Sequence, residues 1–335
     1  MTDFSGSFHV PPPPPGLEPG RVPSFSVLIP TYQAERYVVA AVESALAQTR
    51  PPHEVIVCDD GSTDGTARVL EPYRDRIAYL RKENGGEGSA KNAAARAASG
   101  DFVVLLDADD TYLPERLEAL GQLAAARPDL DLVTTDAFVE VDGEAVRRVY
   151  ASASRFDVGD QRKAILRGNF IHGHCAIRRD TYLAAGGFDE SIRFTADWDC
   201  WIRLILGGAR AGLVAEPLAV YRVWEGGLSS SRLAYARGHV QTLEKTALRS
   251  DLDPSEREVL DEALAARRRA EALVAAETAL AEGAPDARGR LLRIALGAGF
   301  GARTRAKAAG AALAPGAARR RLGQGGGSRL NRPGY

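Results

Sequence analysis

The stretch LLDADD at residues 105–110 ends a hydrophobic run with three carboxylates, Asp107, Asp109 and Asp110. Two unit charges about 4 Å apart repel by about 4 kcal/mol at an effective dielectric near 20, so the cluster is costly unless something positive sits among the acids. Carboxylate oxygens suit a hard divalent ion such as Mg2+ or Mn2+. An Asp-rich turn at a strand end explains the same letters without a ligand. If the chain stays extended, alternation points Asp107 and Asp109 together and Asp110 away. Other groups able to do chemistry stand at similar places: Thr31 and Tyr32 after SVLIP, Asp59 and Asp60 in VIVCDDGSTDG, Lys91 in EGSAKNAA, His172 and His174 in NFIHGHCAI, and Asp197 in TADWDCWIRL.

The elements that must carry these residues follow from the hydrophobic pattern. FSVLIP, EVIVCDD, IAYLRK, FVVLLDADD and LDLVTTD read as strands, separated by helical ERYVVAAVESALAQ, a helix after DGSTDG, EGSAKNAAARAA and PERLEALGQLAAA. That alternation predicts an α/β fold, a mostly parallel sheet flanked by helices. In such open sheets ligands lie beyond the carboxyl ends of the strands, which is where the polar residues named above fall.

Length and composition permit a large core: 335 residues, 45% of them hydrophobic, with a formal net charge of −1. That balance gives no global reason to expect nucleic acid as a partner. Cys58, Cys175 and Cys200 are too few and too widely spaced for a disulfide framework or a paired zinc site, and predict a reducing compartment. No segment reaches the roughly 18 to 20 apolar residues that span a bilayer, and MTDFSGSFHVPPPPP lacks the regions of a signal peptide, so a cytoplasmic protein is expected. The organisation reads as a disordered Pro-rich leader at 1–22, an α/β domain in two halves at 23–135 and 136–240, a helical extension at 241–322 and a flexible tail at 323–335.

Taken in order, SVLIPTYQAERYVVAAVESALAQ, VIVCDDGSTDGT, ENGGEGSAKNAA, GDFVVLLDADD and GGFDESIRFTADWDCWIRL resemble family 2 glycosyltransferases of the GT-A (Rossmann-like) fold over roughly residues 24–230. The resemblance implies inverting transfer of a hexosyl or N-acetylhexosaminyl group from a nucleotide-sugar donor, expected to be a UDP-sugar, to a hydroxyl of a glycan or lipid-linked acceptor, in cell-wall, polysaccharide or glycolipid synthesis. It makes the first half, 23–135, the donor-binding half and 136–240 the acceptor-binding half. Pro30, Thr31 and Tyr32 match the loop that encloses base and ribose, and Asp60 matches the aspartate that accepts from uracil N3–H. Asp109 matches the direct ligand of the divalent metal, Mn2+ or Mg2+, with Asp107 on the ribose or the metal shell. Asp197 matches the general base; its rival reading is a helix N-terminal residue held by the dipole.

The sequence departs from that pattern at several points. Lys91 stands where relatives more often carry Arg, and reads either as a phosphate contact or as a solvated helix lysine. Ala196 replaces the frequent Glu before the base. Trp224 replaces a frequent His in YRVWEGG, a loop in which Arg222 is expected near phosphate. These departures motivate an alternative, a noncatalytic nucleotide-sugar or glycan binder on the same fold. His172, His174 and Trp198 are candidates to line the acceptor pocket, although the tryptophans also fit a buried helical face. Residues 288–335 carry Arg and Lys without Asp or Glu, which allows peripheral contact with the inner face of a membrane or with acidic glycans.

Overall fold

The computed structural model describes residues 2–150, 155–224 and 231–324, and the chain divides into two compact units, Met1–Val223 and Trp224–Tyr335. In the first unit ten strands form one sheet: β1 (Phe8–His9), β2 (Phe25–Thr31), β3 (Glu54–Asp59), β4 (Ala78–Arg81), β5 (Phe102–Leu105), β6 (Thr111–Tyr112), β7 (Leu132–Val141), β8 (Glu144–Arg148), β9 (Ala176–Arg178) and β10 (Ala211–Val223). The main order is β1-β10-β7-β9-β5-β2-β3-β4. Strands β2, β3, β4, β5, β7 and β10 all run one way, and short β9 runs against its neighbours β5 and β7. Every residue of β2 is buried, as expected of a parallel strand covered on both faces.

The helices of this unit are α1 (Val38–Leu46), α2 (Thr66–Val69), α3 (Glu87–Ala97), α4 (Arg116–Ala126), α5 (Gln161–Arg167), α6 (Arg179–Ala184) and α7 (Ala196–Leu206). Helix α1 buries Val38, Ala41, Val42 and Ala45, the spacing of one helical face. Helix α3 lies against β2 and β3 through Ala90, Ala94 and Ala95, whose small side chains let the helix approach the sheet closely. Helix α7 buries Trp198, Trp201, Ile202 and Ile205 and packs on α5.

The leader expected to be disordered is ordered through residue 22. Phe4 is buried and its amide donates to Gln122, β1 pairs with β10, and the carbonyls of Pro11 and Pro12 accept from Arg127 and Arg210. A proline run makes no internal hydrogen bonds, so its carbonyls are available to arginines. The boundary expected near residue 240 falls instead after Val223, because α8 packs on α9. The second unit comprises α8 (Arg232–Ala247), α9 (Pro254–Glu282), α10 (Ala287–Leu296), α11 (Ala302–Leu313) and α12 (Pro315–Gln324). Asp253 and Glu256 form a capping box at the start of α9, and Gly283, at φ +74°, ends it. Of the expected tail, residues 323–324 end α12 and the remainder lies outside the described residues. No helix among the described residues is long and apolar enough to cross a membrane.

The loop that leads into α7 is fixed to α3. The buried Asn92 amide donates to the Phe188 carbonyl (2.9 Å) and Glu190 (3.0 Å), while its oxygen accepts from Tyr182 (2.7 Å) and the Phe188 amide (2.8 Å). Gly187 sits at φ +68°, and a Cβ there would clash with Asn92 Oδ1, whereas at Gly186, φ +81°, a Cβ would meet nothing within 4 Å. Gly187→Ala should therefore cost about 2–4 kcal/mol, from backbone strain plus a broken buried network, and Gly186→Ala about 1 kcal/mol from strain alone. Urea unfolding of both variants checks this, and equal losses would show that Asn92 is not the constraint.

Candidate active site

Strand β5 stops at Leu105, and the Asp110 amide donates to the Asp107 carbonyl (3.0 Å), closing a turn over residues 107–110. The turn cancels the alternation rule, which needs extended backbone. It brings Asp107 together with Asp110, and both with His174: the ligand atoms of these three lie within 4.8 Å of one another. Asp109, the expected direct metal ligand, is not in that trio. Asp110 and His174 are almost fully buried and joined by a hydrogen bond of 2.5 Å. Burial and the neighbouring Asp107 raise the Asp110 carboxyl well above its ordinary range, and burial pushes the His174 imidazole down to about 3. The pair therefore resists carrying charge. His174 Nδ1 is buried with no hydrogen-bond partner among the described residues. A divalent cation fits this chemistry, since it stabilises a carboxylate and takes a neutral imidazole nitrogen.

Lys91 is not a solvated helix lysine. Its ammonium is buried, 2.9 Å from Asp107 and paired also with Glu87 one turn earlier on α3. Burial works against the ammonium, but Asp107 and Glu87 outweigh it and hold Lys91 charged. Lys91 in turn overcomes the burial of Asp107 and keeps that carboxyl below its ordinary value, while burial raises Glu87. Arg222, expected at a phosphate, instead binds the turn: Nη1 donates to the Asp109 carbonyl (2.7 Å), its backbone amide to Asp110 (2.7 Å) and Nε to Glu140 (2.8 Å). The glycine-rich loop that follows Trp224 lies outside the described residues.

The other strand ends contribute a second group. Thr31 closes β2, and its hydroxyl is buried with no hydrogen-bond partner among the described residues; Tyr32 beside it is 53% exposed. Pro30 and Thr31 pair with Cys58 and Asp59 on β3. Asp59 and Asp64 cap the DGSTDG turn by accepting from the amides of Ser62 (2.8 Å) and Thr66 (3.0 Å). Asp60 is buried and already engaged, with Lys82 at 2.7 Å and the amides of Gly85 and Gly86 at 3.0 and 2.7 Å. It anchors the loop that leads into α3. The Gly85 amide is shared by both carboxylate oxygens, so these three donors meet all of the about four lone-pair positions, and a further donor has to displace the longest of these contacts, Gly85 to Oδ2 at 3.2 Å.

Asp197 stands in the first turn of α7, half-buried, accepting from Asn169 Nδ2 at 2.9 Å. Burial pushes its pKa up to about 6, with the Trp198 amide and Lys91 pulling it down and Glu87 pushing it up. Lys91 thus touches Asp107, and its charge also lowers the Asp197 pKa. Three acceptor-pocket expectations fail on burial. Trp198 is core, its indole donating to the Ile165 carbonyl (2.8 Å); His174 belongs to Asp110; and His172 is buried with its ring 4.6 Å from His174 and 5.3 Å from Tyr221. Lys82, Glu87 and Asn169 are additions that the sequence reading missed. The first two flank the ENGG segment, so charge beside a glycine-rich turn was the available signal; Asn169 had none.

Residues 26–185 match the sequence model of the family described as Glycosyl transferase family 2. The chain is 30% identical over 220 residues to the putative teichuronic acid biosynthesis glycosyltransferase TuaG of Bacillus subtilis, covering 64% of this chain and 85% of that protein. It is 33% identical to the chondroitin synthase of Escherichia coli over 55% of this chain and 27% of that one, and 33% identical to the uncharacterized glycosyltransferase RP339 of Rickettsia prowazekii, of which it spans 58%. In fold it is similar to residues 1–349 of S. aureus TarS, solved with UDP-GlcNAc, at TM-score 0.62 and 20% identity, over 90% of this chain and 91% of that one. It is also similar to the mannosyltransferase PcManGT of Pyrobaculum calidifontis, solved with GDP-Man and Mn2+, at TM-score 0.57 and 22% identity, over 92% and 90%.

The turn geometry separates two ligand assignments. With UDP present, Asp110→Asn is expected to weaken Mn2+ binding by at least about tenfold, and Asp109→Asn by less. Calorimetry on both variants measures this; wild-type affinity in Asp110→Asn with a large loss in Asp109→Asn would return the ligand role to Asp109.

Proposed function

The chain belongs to glycosyltransferase family 2, and from that membership we propose that it transfers a sugar from a nucleoside diphosphate donor, a UDP-sugar by preference, to an acceptor hydroxyl with inversion at the anomeric carbon. The acceptor is a hydroxyl on a glycan, polysaccharide or glycolipid. The observations that carry the proposal are the buried Lys91–Asp107 pair at the acidic turn and Asp197, a half-buried carboxylate with pKa about 6 on which Lys91 and Glu87 both act by their charge. UDP as the nucleotide is supported by the UDP-GlcNAc complex of the similar TarS fold. The three cysteines are buried and unpaired, which fits a reducing, cytoplasmic setting.

Asp197 takes the proton of the acceptor hydroxyl as that oxygen attacks the anomeric carbon from the face opposite the diphosphate, and one displacement inverts the centre. Asn169 orients the carboxylate for this. Thr31 offers an unused buried hydroxyl and Tyr32 an exposed ring to the nucleoside, beside Pro30. Asp60 holds the Gly85–Gly86 turn and would accept from the base by giving up its longer contact to the Gly85 amide, at 3.2 Å. Asp107, Asp110 and His174 would hold Mn2+ or Mg2+, which supplies Lewis-acid stabilisation of the departing diphosphate. Asp109 sits at the tip of the turn, with its carbonyl pinned by Arg222.

A panel of nucleotide sugars with Mn2+, scored by released nucleoside diphosphate, tests the proposal. UDP release from a UDP-sugar that rises with added acceptor is expected. Binding of UDP without release across a broad acceptor panel would leave only a nucleotide-sugar binder.

For Asp197→Asn, turnover should fall by about two to four orders of magnitude with UDP affinity nearly unchanged. The acidic limb of kcat/KM, expected near pH 6, should vanish from the residual activity. The same variant should be more stable than wild type at pH 7.5. Folded Asp197 holds its proton up to about pH 6, whereas an ordinary Asp releases it near 3.8, so between those values the folded state binds more protons and stability falls as pH rises. Removing that penalty gains about 1–3 kcal/mol above pH 6 and nothing below 3.8. A purely structural aspartate at a helix N-terminus gives the opposite sign, a destabilised variant, in thermal unfolding across pH.

A further inference from the structure

The second unit carries a surface that sugar transfer does not use. Helix α10 buries Ala287, Leu291 and Ile294 against the small core formed with α9 and α11. At about 100° per residue these three share one face. Leu292 and Leu296 fall on the opposite face and are 40% and 79% exposed, and Leu313 at the end of α11 is 79% exposed. Arg288 and Arg293 flank the two α10 leucines on either side, both exposed. A helix with one apolar face in a core and a second, leucine-bearing face in water needs a reason for the second.

Charge supplies it. Asp286, paired with Arg290 at 2.7 Å, is the last acid of the chain; residues 288–335 hold ten Arg and one Lys and no Asp or Glu. A soluble polyanion would account for the arginines but has no use for exposed leucines. A second copy of this chain would use the leucines but would bring like charges face to face. A surface that is negative at its headgroups and apolar just beneath them satisfies both, with the leucines entering the acyl boundary and the long arginine stems reaching up to the anions. We propose that the outer face of α10, with the basic α11 and α12 beside it, docks the protein on a membrane surface that contains anionic lipid. Two apolar anchors plus a basic field give reversible attachment, in keeping with helices too polar to span a bilayer.

Cosedimentation of the full chain with vesicles tests this. Binding is expected to phosphatidylcholine vesicles containing about 30% phosphatidylglycerol, and not to pure phosphatidylcholine. Leu292→Ser with Leu296→Ser should lower the partition coefficient at least about tenfold, at unchanged melting temperature, and leave binding to soluble polyphosphate unchanged. Arg288→Gln with Arg293→Gln should weaken both. No binding to anionic vesicles overturns the proposal, and so does wild-type vesicle binding by the double-serine variant, which would make the surface a general polyanion site. A dimer in sedimentation velocity that the double-serine variant abolishes would assign the leucines to a second copy of the chain and also overturn it.

Discussion

A single buried ammonium sets the geometry of this site. Lys91 lies on α3, a helix drawn close to the sheet by alanines, and cannot swing out to solvent. A buried lysine keeps its charge only beside acids, and here Asp107 and Glu87 provide them. The requirement runs both ways, because the same contact fixes where the turn after β5 must stand. The next residue, Asn92, anchors the loop ahead of α7. Two consecutive residues of one helix thus hold the acidic turn and the loop that leads into α7, the helix that carries Asp197.

The carboxylates around that ammonium are sharply divided. Asp107 is held ionised by Lys91, while Asp110 and His174, deeper and joined to each other, are driven by burial toward their neutral forms. Asp197, half-buried, lies in between, its pKa pushed up by burial to about 6, the range that suits the base proposed above. Ionising Asp110 or Asp197 costs stability in the free protein, whereas the Lys91–Asp107 pairing offsets part of the burial of both groups. A cation at the turn and an acceptor hydroxyl at Asp197 are what such costs would serve, and Arg222, clamping the turn through the Asp109 carbonyl, holds the geometry in readiness.

The sheet and its helices were legible because their signals are local and agree: continuous apolar runs for β2 and β3, helical spacing in α1 and α7, glycine-rich turns between. The strand-end rule then located most of the site. What the sequence hid depends on where the chain bends and what covers it. The alternation rule paired Asp107 with Asp109, and one hydrogen bond closing a turn replaced that pair with Asp107 and Asp110. His174, more than sixty residues away in sequence, joins them only because antiparallel β9 is inserted beside β5. The leader looked structureless, yet one phenylalanine, a two-residue strand and two arginine contacts to proline carbonyls order it. Local pattern carries no trace of such distant partners.

We propose that a divalent cation serving the donor diphosphate is held at the turn by Asp107, Asp110 and His174, beside Lys91. Anomalous diffraction at the manganese edge, from crystals grown with Mn2+ and UDP, locates the ion directly. A peak in coordination contact with Asp107, Asp110 and His174, with the Asp110–His174 hydrogen bond opened to admit it, is the expected result. A peak held by Asp109 alone, with Asp110 and His174 still bonded to each other as they are now at 2.5 Å, would contradict the assignment.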